Sequence, residues 1–345
     1  MTTGTLGSFP RNGEAASRQR VLVTGGAGFI GSHVVAELLR EGVPVTVLDD
    51  LSTGMLENLP DDRGLRFVYG DVADRAAIAE ALTGCGRVVH LAAIASVQRS
   101  VEDPVGTHRV NYEATARLLE LAHRHGVRRF VYASSAAVYG DVQTPPVDEV
   151  GALDPRTPYA VDKLMGEKAL ASFRREHGME GVSLRFFNVY GPRQRSDSPY
   201  SGVISLFVRQ LLRGEPVTIF GDGEQTRDFV FVGDVTRALV ELTLRPTPPT
   251  APVLNVGRGE TVGVLRLVSA IEAVLGARAE RRFAPARVGD VRHSSASVAR
   301  LQAELGWVPT TSLEVGVSCL VEEAMNRARL AEPCTDAPRP SAVGD

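Results

Sequence analysis

Short apolar runs recur along the first half of the chain, and none of them alternates with polar residues. The runs are RVLVTG, VPVTVLD, LRFVYGD, RVVHLAA and RRFVYASS. Strands that are apolar on both faces are typical of a parallel sheet covered by helices. Helix-length patterns lie between the runs, for example from Gly28 to Arg40 and from Thr107 to His125. The pattern predicts an α/β fold with a Rossmann-type doubly wound parallel sheet.

The pattern becomes irregular after Phe187, where loops rich in Gly, Pro and Ser interrupt it. We expect a sheet domain over residues 20–187, to which residues 227–256 return. A smaller C-terminal substrate-binding lobe is expected to contain residues 188–226 and 257–330. Residues 1–19 and 331–345 are expected to be disordered tails.

Composition narrows the functional classes. The 345 residues include 38 Lys and Arg against 41 Asp and Glu, which argues against a general nucleic-acid binder. Three widely spaced cysteines, Cys85, Cys319 and Cys334, suggest neither a disulfide framework nor a zinc site. No secretory apolar segment and no stretch of about eighteen apolar residues occurs. We therefore expect a cytoplasmic protein that contacts no nucleic acid, no membrane and no metal.

A glycine-rich turn, VLVTGGAGFIGSH, joins the first predicted strand to the first predicted helix. Gly25, Gly28 and Gly31 would let the backbone approach a pyrophosphate, whose charge the helix N-terminus would then meet. The next strand ends in Asp49, which could bind both ribose hydroxyls and would repel a 2′-phosphate, so NAD is favoured over NADP. The alternative is a plain tight turn, with Asp49 and Asp50 merely beginning another.

A second motif, TPYAVDKLMGEKAL, places Tyr159 and Lys163 four residues apart on one helix face. The ammonium of Lys163 can then lie near the phenol and favour its ionised form. Tyr159 would thereby accept a proton near neutral pH. Alone, such a pair is more often two unconnected surface residues, but here it follows a dinucleotide turn in the chain.

Together with further motifs, these features resemble the extended short-chain dehydrogenase/reductase family, and specifically its nucleotide-sugar 4-epimerases. The resemblance covers about residues 20 to 325. It rests on the glycine turn with LDD and on these further motifs: GDVAD (70–74), HLAA (90–93), SSAAVYG (134–140), YAVDK (159–163), RFFNVYGPRQ (185–194), GDGEQTRDF (221–229) and VGDVRHS (288–294).

The resemblance implies roles for individual residues. The trio Ser135, Tyr159 and Lys163 would be catalytic, and Tyr159 and Lys163 would also contact NAD. Asn188, Arg227, Arg287, Asp290 and Ser294 would bind a UDP-sugar together with Ser135 and Tyr159. The remaining NAD-binding residues would be Gly25, Gly28, Phe29, Ile30, Gly31, Asp49, Asp50, Asp71, Val72, Leu91, Ala92 and Ala93.

The two residues that follow Ser135 indicate the reaction. The related sugar 4,6-dehydratases typically have an acid at one or both positions, because eliminating water requires further proton transfers. Here both positions are alanine, Ala136 and Ala137. We therefore expect C4 epimerisation through a transient 4-keto sugar, with Tyr159 removing the O4 proton while the C4 hydride passes to NAD and later returns to the opposite face.

The choice of sugar depends on Ser294, which by the resemblance lies beside the C2 substituent and leaves room for an N-acetyl group. We expect conversion of UDP-GlcNAc to UDP-GalNAc, of UDP-glucose to UDP-galactose, or of both. A UDP-uronate or a specialised nucleotide sugar stays open, and Ser294 could instead cap the following helix. The other candidate classes are a nucleotide-sugar dehydrogenase or reductase and a non-catalytic NAD sensor. The resemblance also implies a homodimer built from helices around 107–125 and 158–177.

Overall fold

The computed structural model describes residues 19–141, 144–195, 202–285 and 291–331. Its strands in chain order are β1 (Arg20–Thr24), β2 (Val45–Asp49), β3 (Leu65–Tyr69), β4 (Cys85–His90), β5 (Arg129–Ser135), β6 (Glu180–Phe186), β7 (Asn188–Tyr190), β8 (Val217–Phe220), β9 (Thr226–Arg227), β10 (Phe229–Phe231), β11 (Val253–Val256), β12 (Val262–Gly263) and β13 (Arg281–Ala284).

The helices connect these strands and cover both faces of the main sheet. They are α1 (Phe29–Arg40), α2 (Arg75–Leu82), α3 (Val97–Glu102), α4 (Pro104–His108), α5 (Ala114–Arg124), α6 (Pro158–His177), α7 (Val203–Leu212), α8 (Val232–Leu244), α9 (Val264–Leu275), α10 (Ala299–Leu305) and α11 (Leu313–Ala331).

Seven strands form the central sheet in the order β11-β6-β5-β4-β1-β2-β3, and every pair is parallel. The predicted doubly wound fold is confirmed. Successive residues of a strand point to opposite faces, so each apolar run supplies two cores at once. In β1, Val21 and Val23 pack with α1 and α8, whereas Leu22 packs on the other face with α2 and α5.

The helix pattern from Thr107 to His125 corresponds to three consecutive helical segments. One π-helical turn, Arg109–Glu113, lies between α4 and α5. Asn111 within this turn forms two hydrogen bonds with the backbone of Ile94, which follows β4.

A second hydrophobic core lies outside the main sheet. It is built from α7, α9 and α11 around Phe207, Leu267 and Val317, all nearly inaccessible to solvent. Two small parallel pairs, β7 with β10 and β8 with β13, border it. Within residues 227–256, α8 packs on the central sheet and β11 joins it, whereas β9 and β10 pair with β12 and β7.

Candidate functional site

The glycine turn after β1 requires glycine for steric reasons. Gly25 has φ +68°, and a Cβ there would lie 2.8 Å from the Ala92 backbone nitrogen. A Cβ on Gly31 would lie 2.1 Å from the Gly25 carbonyl oxygen. Helix α1 therefore packs directly on the turn that precedes it.

The N-terminus of α1 is suited to an anion. Gly28 occupies the cap position without a side-chain cap, and the first turn contains no acidic residue. Its leading amides are thus available to a phosphate, and the helix dipole favours negative charge there.

Asp49 and Asp50 have different local partners. Asp49, buried at the end of β2, accepts hydrogen bonds from the Ala27 and Leu51 amides at 2.9 and 2.8 Å. Burial raises the pKa of this carboxyl, although the two amides oppose the rise. Asp50 is exposed and does begin a turn, accepting from the Ser52 amide and hydroxyl. The Asp49 side chain therefore links the glycine turn to β2 through its hydrogen bond with the Ala27 amide.

A cavity of about 430 Å³ opens at the carboxyl ends of the parallel strands. Ligands bind at this edge in doubly wound sheets. Tyr159 and Lys163 line the cavity, and so do all of the other residues predicted to bind NAD: Gly25, Gly28, Phe29, Ile30, Gly31, Asp49, Asp50, Asp71, Val72, Leu91, Ala92 and Ala93. The close-packed glycine turn, the uncapped helix and the carboxylates of Asp49 and Asp50 in one cavity fit a dinucleotide.

Ser135 and Tyr159 meet where β5 ends and α6 begins. Thr157 caps α6 by accepting from the Ala160 amide, and Pro158 occupies its first position, so Tyr159 lies in the first turn. A hydrogen bond joins the Tyr159 phenol to Ser135. The Lys163 ammonium lies 5.8 Å from the centre of the Tyr159 ring and donates to the Ala133 carbonyl at 2.8 Å. The catalytic trio predicted from the motifs is thus brought together.

Burial opposes the expected effect of Lys163 on the phenol of Tyr159, and that effect stays a prediction. Burial raises the pKa of Tyr159 above its ordinary value, and the hydrogen bond from Ser135 lowers it only in part. Burial also lowers the pKa of Lys163 to about 8, against the attraction of neighbouring Asp162. Desolvation, which the helical spacing does not reveal, outweighs the pairing.

The residues after Ser135 form a short 3-10 turn, Ala136–Tyr139. The Ala137 amide donates to the Ser135 hydroxyl oxygen at 3.2 Å. This bond orients the serine hydroxyl at the mouth of β5, and neither alanine adds a proton donor or acceptor beyond its backbone.

A buried ion pair beneath the trio was missed by sequence reasoning. Arg185 on β6 donates two hydrogen bonds to Glu167 on α6, at 2.9 and 2.8 Å, and both side chains are 3 % exposed. Glu167 also accepts from the Ser134 hydroxyl at 2.5 Å. The pair therefore connects β5, β6 and α6 next to Ser135. Its only sequence signal was the arginine of RFFNVYG.

His90 was also missed, although it lies in the HLAA motif. Its Nδ1 lies 2.7 Å from the Thr24 hydroxyl and its Nε2 lies 2.8 Å from the Thr115 hydroxyl. Because Thr115 donates to the Asn111 carbonyl, it accepts from Nε2–H, and Nδ1 accepts from Thr24. Burial lowers the pKa of His90 to about 3, so the ring is neutral. It holds Thr24, which accepts from the Leu91 and Ala92 amides beside the cavity.

Two arginines in the cavity were also not indicated by the sequence motifs. Arg99 and Arg109 both line the cavity. Arg109 pairs with the Asp71 carboxylate at 2.9 Å, which orients that carboxylate. Both arginines belong to irregular helical stretches without a distinctive spacing, so no local pattern predicted them.

Three of the residues expected to bind the sugar nucleotide gather around Thr226–Asp228. The Asn188 side chain donates to the Asp228 carbonyl at 3.1 Å, Arg227 follows Thr226 in β9, and the Ser294 amide donates to the Thr226 carbonyl at 3.2 Å. Ser294 does not cap a helix, because α10 begins at Ala299 with Val298 at its cap position. Arg287 and Asp290 lie outside the described residues.

In the parts of the chain that the structure describes, no cluster of three or more His, Cys, Asp or Glu side chains is arranged to hold a metal ion. Among those same residues, no helix combines the length and apolar character needed to cross a membrane.

Comparisons with known proteins agree with this geometry. The family model described as "NAD dependent epimerase/dehydratase family" matches residues 21–257. A UDP-glucose 4-epimerase of Mycolicibacterium smegmatis is 39 % identical over 322 residues, covering 90 % of this chain and 100 % of the relative.

Solved structures give the same result. A UDP-N-acetylglucosamine 4-epimerase from Methanobrevibacter ruminantium, in complex with UDP-N-acetylmuramic acid, superposes with a TM-score of 0.85 at 35 % identity, covering 90 % of this chain and 99 % of the other. A UDP-glucose 4-epimerase of Thermus thermophilus in complex with NAD has a TM-score of 0.81 at 39 % identity, covering 88 % and 98 %. The family predicted from the motifs is confirmed: the chain is an enzyme of the NAD-dependent epimerase/dehydratase family, and its cofactor is NAD.

Proposed function

We propose that this enzyme is a UDP-sugar 4-epimerase that interconverts UDP-GlcNAc and UDP-GalNAc, UDP-glucose and UDP-galactose, or both pairs. The cavity that joins the NAD-binding residues to Tyr159 and Lys163 supports a reversible oxidation at one carbon. The names of the relatives from Mycolicibacterium smegmatis and Methanobrevibacter ruminantium support the two kinds of sugar.

The observation that carries the proposal is the lack of a carboxylate beside Tyr159 among the described cavity residues. The carboxylates that line the cavity are Asp49 at the end of β2, Asp50 directly after it, and Asp71 after β3. In the sheet order β2 lies three positions from β5, which at about 4.8 Å per strand is about 14 Å. Elimination of water would need an acid or base at the sugar, whereas oxidation and reduction at C4 need only Tyr159.

The proposed mechanism follows from this arrangement. The phenol of Tyr159, once ionised, accepts the proton of the sugar O4 hydroxyl, and Ser135 donates a hydrogen bond to the same oxygen. When bound, oxidised NAD supplies the acceptor for the C4 hydride and a positive charge that favours the phenolate. Lys163, held by the Ala133 carbonyl, keeps a cation beside the ring at neutral pH. After the keto sugar turns over, Tyr159 would return the proton to O4, which then lies on the opposite face of the ring.

Ser294 supports acceptance of an N-acetyl group. It is half-buried on the segment that pairs with Thr226, on the same structural unit as Asn188 and Arg227. Ser294 caps no helix, and we therefore assign its small side chain to the sugar pocket. A serine there leaves room at C2 and also admits a hydroxyl.

A homodimer is proposed from an apolar surface of α3, α4 and α6. Val101, Val105 and Val161 are 58 %, 80 % and 39 % exposed, and α4 packs directly on α6. Exposed apolar side chains on helices that pack together favour a self-association surface. Light scattering should give twice the chain mass, and Val105→Asp should shift it toward the monomer; a wild-type monomer would overturn the proposal.

The test uses UDP-sugars that carry deuterium at C4. Epimerisation should give the C4 epimer with the label retained in ordinary water, because the hydride does not exchange with solvent. It should also leave the NAD bound to the enzyme unchanged in amount. A product that has lost water would indicate a dehydratase, stoichiometric NADH would indicate a dehydrogenase, and loss of the label would exclude the proposed hydride transfer.

A further inference from the structure

Asp228 is a fully buried carboxylate in the TRDF motif, and its exposed fraction is 0 %. Its Oδ1 accepts from the Arg258 amide at 2.7 Å. Its Oδ2 accepts from the Gly259 amide at 2.9 Å and from the Ala296 amide at 3.0 Å. One side chain therefore fixes two segments that are distant in sequence, 258–259 and the segment that contains Ser294.

The backbone carbonyl of Asp228 holds a third segment. It accepts from the Asn188 amide at 3.0 Å and from the Asn188 side chain at 3.1 Å. The Asn188 side-chain amide thus donates one N–H to Asp228, while the residue as a whole is exposed.

The direction of Arg227 follows from the burial of its neighbour. Side chains of successive residues in an extended chain point to opposite sides. Because Asp228 points into the interior, Arg227 points to the other side, where it is half-buried and bonds to the carbonyls of Thr226 and Arg292. The same extended stretch pairs with His293 and Ser294.

We propose that Asp228 is a positioning residue for nucleotide-sugar binding: its buried carboxylate aligns the segments that carry Asn188, Arg227 and Ser294 so that one diphosphate and one sugar contact all three. This inference rests on the proposed function. Asp228 itself touches neither substrate nor cofactor.

The chemistry of the site requires a carboxylate. Three N–H groups point at two oxygens, and an amide side chain offers only one oxygen. In Asp228→Asn, either the Arg258 amide or the pair from Gly259 and Ala296 would face an N–H instead of an acceptor. A buried donor without an acceptor is costly, so one of the two segments would move.

The experiment measures UDP binding by titration calorimetry on the NAD-containing enzyme, together with the steady-state constants. Asp228→Asn should weaken UDP binding by ~10-fold or more, because misaligned donors lose charge-assisted bonds to the diphosphate. The KM of the UDP-sugar should rise by a similar factor, while kcat and bound NAD stay within ~3-fold of the wild type, because Tyr159 and the cofactor cavity are not displaced.

Glu304→Gln is the matched control. Glu304 is also buried, with a side chain 2 % exposed, and it accepts from the Thr250 and Ala251 amides and pairs with Arg245. It has no described contact with the segments around Asp228. The variant should lose thermal stability as Asp228→Asn does, but its affinity for UDP should equal that of the wild type.

A second variant covers the case in which Asp228→Asn does not fold. A Cβ on Gly257 would lie 2.7 Å from Asp228 Oδ2 and 2.7 Å from the Ala296 Cβ, so Gly257→Ala disturbs the contact between the carboxylate and the Ala296 segment without removing the charge. Weaker UDP binding in either folded variant supports the inference. Wild-type affinity in the folded variants, or an equal loss in Glu304→Gln, overturns it. A wild type that binds neither UDP nor dTDP overturns the proposed function as well.

Discussion

The close packing of Gly31 on the glycine turn leads to a sharp prediction for Gly31→Ala. Gly31 is in the first turn of α1, where helix propensity alone would make alanine stabilising by about 1 kcal/mol. The added Cβ, however, would lie 2.1 Å from the Gly25 carbonyl oxygen, 2.8 Å from the Gly26 Cα and 2.9 Å from the Gly25 carbonyl carbon. All three atoms belong to the backbone, so no side chain can rotate away.

The movement that the new Cβ requires sets the size of the expected loss of stability. Ordinary contact begins at 3.4 Å, so α1 and the turn must separate by more than 1 Å. Overpacking of this kind typically costs about 1 to 3 kcal/mol. That should lower Tm by roughly 2 to 8 °C in a chain of this size. The N-terminal amides of α1 move with the helix, so NAD affinity should fall by ~10-fold or more.

The assay is to denature the purified enzyme and measure released NAD per chain, alongside a thermal melt. Gly263→Ala is the matched control, because Gly263 lies at the N-terminus of another helix, α9, has φ −71°, and its new Cβ would meet no atom within 4 Å. The control should keep its NAD and its Tm. If Gly31→Ala retained NAD at the wild-type level with an unchanged or higher Tm, propensity would have outweighed the clash and the packing argument would be refuted.

Three further predictions concern the catalytic base, the sugar pocket and acid stability. Tyr159→Phe should keep NAD bound while turnover falls by ~10²-fold or more, since no other side chain accepts the O4 proton; activity within a few-fold of wild type would exclude the assigned role. Ser294→Tyr should reduce kcat/KM for N-acetylated sugars by roughly tenfold to a hundredfold while largely sparing UDP-glucose, and equal losses would mean that Ser294 supports the fold alone. The neutral His90 should make the protein sensitive to acid, because its pKa is about 3 when folded and near 6.5 when unfolded. The unfolded chain then binds the proton first, so stability is complete above pH 6.5 and falls by up to roughly 5 kcal/mol as the pH drops toward 3. Urea unfolding at pH 7 and pH 5 should show a smaller decrease for His90→Gln than for the wild type, and equal decreases would count against a neutral buried ring.

Local sequence determined the sheet and the cofactor turn. The strands β1 to β5 can be predicted from the sequence because both faces of each strand must be apolar. A run of five to seven residues is enough to show this pattern. Gly31 signals the turn because the backbone of Gly25 and Gly26, only a few residues away, excludes a Cβ, and Gly25 signals it because the turn needs a positive φ there. The spacing of Tyr159 and Lys163 places them on one face of α6 for the same short-range reason.

Tertiary structure alone decided the electrostatics and the supporting contacts. Whether Lys163 or burial controls the phenol of Tyr159 depends on the strands and helices that enclose it, and burial prevails. The partners Glu167 and Arg185 are 18 residues apart, and Asp228 reaches Ala296 across 68 residues. Such contacts arise only when separate elements pack together, and they follow no periodicity along the chain. A charge or a hydrogen bond in the interior is therefore set by the three-dimensional surroundings, whereas the elements that create those surroundings were already apparent in the order of the amino acids.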